Sequence, residues 1–190
     1  MIFEKAKKFI LEKLERELPK HLMYHNIKHI LDVYQASIKY AELEGLSEED
    51  TILLKTASLF HDSGYIIQAE NHEAISCSIA EEILPDFDYN SEQIQKIKGM
   101  IMATKIPQTP TNHLEEILAD ADLDYLGRAD FEEISERLFQ ELQLPNRNEW
   151  NKIQISFFNK HHYFTKSAKE LRNHKKEENL QKIITQTQLD

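Results

Sequence analysis

Three places in this chain carry side chains whose types and spacing could support metal-dependent chemistry. His25 and His29 stand four residues apart, which makes them neighbours on one face of a helix and lets them share a site. His61 and Asp62 adjoin at the carboxyl end of an apolar stretch, where an ionised carboxylate is costly without a partner or a metal. Asp120, Asp122 and Asp124 alternate within the segment from Leu114 to Leu126, which is apolar apart from these and Glu115 and Glu116. On one continuous helix Asp120 and Asp124 share a face, and Asp122 is turned roughly 200° from Asp120, so the three are not expected to point inward together. The competing reading is that these acids are solvated, as most aspartates are. Joined, the three places supply two imidazoles and two carboxylates. That mixed nitrogen and oxygen set suits a borderline divalent ion such as Mn, Fe, Co, Ni or Zn, with coordination positions left for water and substrate.

These groups need helices to hold them. Ile2, Phe3, Ala6, Phe9, Ile10 and Leu14 recur at helical spacing, closed by Pro19. A second helix is predicted from about His21 to Glu44, where Gly45 stops it. Ser47, followed by Glu48, Glu49 and Asp50, is a favourable helix start, because a hydroxyl caps free amides and acids suit the positive end. The helix it opens is apolar on nearly every side and is expected to be central, ending at His61 to Gly64. Further helices are predicted at His72 to Leu84, Ser91 to Thr104, Leu114 to Leu126, Phe131 to Leu142, Glu149 to His161 and Thr165 to Ile184, with a fraying tail. Four glycines and five prolines in 190 residues favour helices over a turn-rich sandwich or barrel. The expected fold is therefore an all-α, single-domain helical bundle over residues 1–190, with a core at about 20–130 and the helices from about 131 to 185 packed on it.

A net charge of −10 argues against a broad basic surface for duplex nucleic acid, though a small phosphorylated substrate needs only a local patch. The lone Cys77 has no partner for an internal disulfide and reads as a packed thiol. Charges from Glu4 to Lys8 and the lack of any apolar run of about 18 residues point away from secretion and the membrane, towards the cytoplasm. Oligomeric state is not legible.

The order His29, then His61-Asp62, then Asp122 closely resembles the H…HD…D signature of the HD-domain superfamily of helical, metal-dependent phosphohydrolases. The surrounding blocks are similar too: "ASLFHDSGY" over Ala57–Tyr65 and "ILADADLDYLG" over Ile117–Gly127. The likeness spans about residues 20 to 130, and "HYFT" at His162–Thr165 resembles the tail of a bacterial subgroup of predicted HD phosphohydrolases. It implies a helical bundle of the phosphodiesterase-like type with His29, His61, Asp62 and Asp122 as metal ligands. The choice of Asp122 over Asp120 comes from aligning Ala121-Asp122-Leu123 with the family block, and Asp120 is the fallback.

The block Tyr24, His25, Asn26, His29 resembles that of cyclic-nucleotide phosphodiesterases, in which the first histidine protonates the leaving oxygen and the second binds metal. By that likeness His25 is the candidate general acid. The chain lacks the His-His pair of two-metal cyclic-dinucleotide members, with His72-Glu73 its nearest equivalent, so one divalent ion (Mn, Fe, Co, Ni, Zn or Mg) is expected and a weaker second site near His72 is the alternative. A divalent ion lowers the pKa of its water to about 7 and polarises a phosphoryl oxygen. His25 or Glu73 would handle protons, and Lys105, just before a proline-containing loop, is the candidate phosphate contact. His113, His161, His162 and His174 read as structural or surface residues. The expected function is hydrolysis of a small phosphate ester, a nucleotide among the candidates. A non-catalytic HD module sensing a nucleotide or partner, and a two-iron oxygenase, are the other readings.

Overall fold

The chain begins with an amphipathic helix and returns to helix throughout; the computed structural model describes residues 1–189, with side chains through Thr187. Among the described residues there are nine α-helices and no strands: α1 (Phe3–Glu17), α2 (Ile27–Leu43), α3 (Glu48–Phe60), α4 (His72–Ile83), α5 (Ser91–Ala103), α6 (His113–Asp122), α7 (Phe131–Glu141), α8 (Arg147–Lys160) and α9 (Lys166–Leu189). Single 3-10 turns occupy Ser63–Ile66, Leu84–Phe87 and Asp124–Gly127. The fold is all-α.

Side-chain caps set most of the starts. Ser47 accepts from the Asp50 amide at 3.1 Å, Asn112 from Glu115 at 3.2 Å and Asn146 from Glu149 at 2.9 Å, each satisfying an amide that has no partner within its helix. Asn90 and Gln93 form a reciprocal capping box at the start of α5. Leu53, Leu54, Ala57, Leu59 and Phe60 of α3 are almost wholly buried, and α3 packs on α1, α2, α4, α5 and α6. Burying each such large side chain contributes about 1.5–3 kcal/mol, which makes this helix the axis of the core. A second cluster, including Leu123, Leu126, Phe131, Phe158 and Leu180, joins the 3-10 turn Asp124–Gly127 to α7, α8 and α9. Gly127 permits that docking, because a Cβ there would lie 2.5 Å from Cβ of Arg172 on α9.

Two predicted helices are corrected. The second begins at Ile27, not His21, because Asn26 caps it by accepting from the Lys28 amide at 2.9 Å. The amides of Tyr24 and His25 turn instead to the Glu141 carboxylate at 2.7 and 3.0 Å. His25 therefore precedes α2 and does not share a helical face with His29. The predicted helix over Leu114–Leu126 ends at Asp122, and the backbone changes course at Leu123 into the 3-10 turn. The phase argument for Asp120, Asp122 and Asp124 loses its basis there. The last helix extends past Ile184 to Leu189, and the Thr165 hydroxyl accepts from the Ala168 amide at 3.2 Å near its start.

Candidate metal centre

Three helices bring four donor side chains to one point. His29 lies in the first turn of α2, His61 and Asp62 follow the last residue of α3, and Asp122 ends α6. His29 Nε2 is 3.2 Å from Asp122 Oδ1 and 3.3 Å from His61 Nε2, while His61 Nε2 is 3.5 Å from Asp122 Oδ1. Asp62 Oδ2 lies 3.3 Å from each of the two imidazole nitrogens. Donors held about 2.1 Å from a shared cation would stand roughly 3.0–3.4 Å apart at adjacent positions, close to the 3.2–3.5 Å seen here. His29, His61 and Asp122 form the compact set that could hold an ion, with Asp62 against both imidazoles.

The surroundings fit such an ion. The Nδ1 of His61 donates to the Ser58 carbonyl at 2.8 Å, which fixes the tautomer that leaves Nε2 with its lone pair towards the cluster, as metal-binding histidines require. Asp62 Oδ2 is buried and has no hydrogen-bond donor, an orphaned anionic oxygen that a cation would satisfy. Two neutral imidazoles and two carboxylates balance a divalent charge. In the absence of an ion, protons do that work. Burial opposes charge on His29, but Asp122 and Asp62 overcome it and raise its pKa to about 9. Burial likewise opposes the anion at Asp122, yet hydrogen bonds from His29 and His61 hold it at about 2.

The remaining predicted residues fall around this point. His72, first residue of α4, puts Nε2 3.2 Å from Asp62 Oδ1, with Nδ1 donating to the Ala69 carbonyl at 3.0 Å. Its approach depends on Gly64, where a Cβ would lie 2.0 Å from the His72 carbonyl oxygen. Glu73 is buried, 3.7 Å from His72 Nε2. The His25 ring stacks on Tyr65 at 4.3 Å and stands edge-on to His29 at 5.9 Å. Lys105 lines a cleft that also takes in His25, Asp62, His72, Glu73 and Asp122, its ammonium donating to the Asn71 side chain at 3.2 Å.

Asp120 is elsewhere. Its carboxylate accepts from the Phe164 and Thr165 amides at 2.8 Å each and from the Thr165 hydroxyl at 2.7 Å, so the fallback ligand is instead the anchor of the segment entering α9. Asp124 is also buried, accepting from the Tyr40 hydroxyl at 2.5 Å and from Arg172 Nε at 2.6 Å. All three aspartates face the interior, each with its own partners, contrary to the expectation that they could not.

Sequence reasoning missed Glu141. Besides the two amides it takes the His25 ring nitrogen as a hydrogen-bond partner, and the His25 contacts help hold its carboxyl below the usual range against burial. No local pattern distinguishes it from Glu132, Glu133 or Glu136 on the same helix. The tyrosines were missed as well: Tyr24 lies 4.5 Å from the His29 ring and 5.7 Å from Tyr125.

The fold is thus an all-helical bundle with a histidine and aspartate cluster that could hold a metal ion at the meeting of α2, α3 and α6. The HD-domain family model matches residues 26–125, and the chain belongs to that family. An uncharacterized protein of Clostridium beijerinckii is 39% identical over 83 residues, 41% of this chain, and the chain spans about half (51%) of that relative's length. A predicted HD superfamily hydrolase from an uncultured Thermotogales bacterium superposes with a TM-score of 0.63, at 18% identity over 95% of this chain and 88% of that one. That last likeness is one of fold.

Proposed function

We propose that this chain is a metal-dependent phosphohydrolase acting on a small phosphate ester, with His29, His61, Asp62 and Asp122 holding one divalent ion. The observation that carries the reading is the buried oxygen of Asp62, without a donor, 3.3 Å from two imidazole nitrogens. When bound, a divalent ion supplies Lewis acidity towards a phosphoryl oxygen and makes water a stronger acid. The chain's own residues do the rest. His25, braced by Glu141 and Tyr65, faces the cleft and delivers a proton to the departing ester oxygen. Glu73 takes the proton given up by water, and Lys105 meets phosphate charge at the mouth.

His72 Nε2 against the second oxygen of Asp62 supports a weaker second ion position, which His72 and Asp62 would hold. The acidic balance of the chain supports a small phosphorylated substrate over duplex nucleic acid. No helix among the described residues is long and apolar enough to cross a membrane, and a cytoplasmic site of action belongs to the same proposal. The test is phosphate release from phosphomonoesters, phosphodiesters and nucleotides under Mn, Fe, Co, Ni, Zn and Mg, comparing the natural protein with Asp62→Ala. Metal-dependent turnover lost in the variant supports the reading; equal activity in both overturns it.

A further inference from the structure

The cleft beyond the metal centre is of a different character from the centre itself. Its volume is about 450 Å³, within the range of small-molecule sites, and Asp62, His72, Glu73, Lys105 and Asp122 line one end while Phe131, Leu138, Trp150, Ile153 and Phe157 line the other. A run of rings marks its direction: Tyr24 lies 4.5 Å from His29, Tyr125 5.7 Å from Tyr24, and Phe131 6.2 Å from Tyr125. The far wall comes from α7 and α8.

Polar side chains at that far end are already paired. The Trp150 indole donates to the Ser135 hydroxyl at 3.0 Å, Ser135 donates to Gln154 Oε1 at 2.6 Å, and the Gln154 amide reaches Asn151 at 3.4 Å. A ribose or a base edge placed there would lose its water and find few partners in return, which costs affinity. An apolar group gains by the same move. Ile106, Leu142 and Ile153, on the cleft lining, are each about half exposed, and a chain lying in the cleft would cover them.

The geometry points to an apolar phosphate ester as the substrate class: the phosphoryl group at the metal centre, and an alkyl or aryl group of several carbons in the cleft between α7, α8 and the Asp124–Gly127 turn. The assignment rests on the hydrolase reading above. In the reaction, water forms a new P–O bond as the ester P–O bond breaks. The alcohol oxygen leaves with a proton, giving the apolar alcohol and inorganic phosphate, with no change of oxidation state.

The experiment uses the whole protein supplemented with Mn²⁺ and two readouts. Calorimetry with ethyl-, butyl- and octylphosphonate, which are not hydrolysed, is expected to show affinity rising about two- to fourfold per methylene, so that octylphosphonate binds at least about fiftyfold tighter than ethylphosphonate and tighter than adenosine monophosphate. Phosphate release from ethyl, butyl and octyl phosphate should follow the same order in kcat/KM. Ile153→Asp, at a half-exposed position, should flatten the dependence; Leu171→Asp, on the outer surface of α9, should keep it. Equal affinity across the series, or a tenfold preference for adenosine monophosphate, overturns the assignment. Chain-length-dependent binding without turnover of any ester sinks the hydrolase reading and keeps the ligand class, whereas turnover indifferent to chain length does the reverse.

Discussion

Glu141, the last residue of α7, holds His25 by both its backbone and its ring, across 116 positions of sequence. A carboxylate that takes an imidazole N–H fixes the ring's orientation and tautomer, and losing such a partner typically costs 10–100-fold in activity. Glu141→Ala is therefore expected to lower kcat by about 10–100-fold with metal content unchanged, since Glu141 touches none of the four donors. Its lowered pKa adds a pH signature. A carboxyl with a depressed folded-state pKa stabilises the fold above its ordinary value and loses that contribution as pH falls through the lowered one, so the variant should lose less stability on acidification below pH 4.5. Kinetics, metal analysis and thermal melts at several pH values check all three.

Asp120 and Asp122, two residues apart, should respond oppositely to the same change. Asp122→Asn removes a charge from the donor set, and the expected outcome is loss of stoichiometric metal and of the metal-induced rise in Tm. For an ion at a hundred times its Kd that rise is worth about 2.7 kcal/mol. Asp120→Asn retains one acceptor oxygen but turns its amide nitrogen towards the donors on the other oxygen, either the Phe164 amide or the Thr165 amide and hydroxyl, at a cost of about 1–3 kcal/mol. Its metal content should stay as in the natural protein. Elemental analysis beside thermal denaturation separates the two, and metal loss in Asp120→Asn would contradict the geometry.

Periodicity and caps made most of the helices legible, because Pro19, Gly45 and Ser47 act through neighbours a few residues away. The start of α2 was not legible, since what holds residues 24–25 outside the helix is Glu141, more than a hundred residues on. The aspartates followed the same logic. His61-Asp62 announces itself by polar residues where an apolar helix ends, whereas the inward turn of Asp124 depends on Arg172 and Tyr40 from distant helices. The aromatic end of the cleft was invisible for a related reason: Trp150, Ile153 and Phe157 on α8 have the spacing of ordinary core residues, and only the packing of α7 and α8 over the site makes them a lining.

His161 follows α8 with both ring nitrogens buried and unpartnered, its ring parallel to Phe157 and edge-on to Tyr163. Burial, with Lys176 and His162 nearby, lowers its pKa from 6.5 to about 3. As pH drops below 6.5 the unfolded chain takes a proton here that the folded chain refuses, so stability falls with pH until the folded-state value is reached. The contribution amounts to up to about 3 kcal/mol by pH 4. His161→Phe should remove that part of the acid sensitivity, seen as a flatter plot of unfolding free energy against pH between 6.5 and 4. A plot parallel to that of the natural protein would show that water reaches the ring.

Asp124 is 2% exposed and is held by Arg172 through Nε at 2.6 Å and a terminal nitrogen at 2.9 Å, with Arg128 3.5 Å away and Asp32 and Asp130 sharing that second guanidinium. Removing one partner of a buried pair leaves the other charge without compensation, at a cost of about 3–5 kcal/mol. Arg172→Met keeps much of the apolar stem against Gly127 while removing the charge and both N–H donors to Asp124, so its destabilisation should approach that range. Asp124→Asn strands Arg172 less severely, because α9 is partly open to water there. In the double variant neither charge remains buried alone, and the combined cost should fall short of the sum of the two single costs by about 1–3 kcal/mol. Urea denaturation of the four proteins measures it, and strict additivity would mean that Arg128 already neutralises Asp124 when Arg172 is gone.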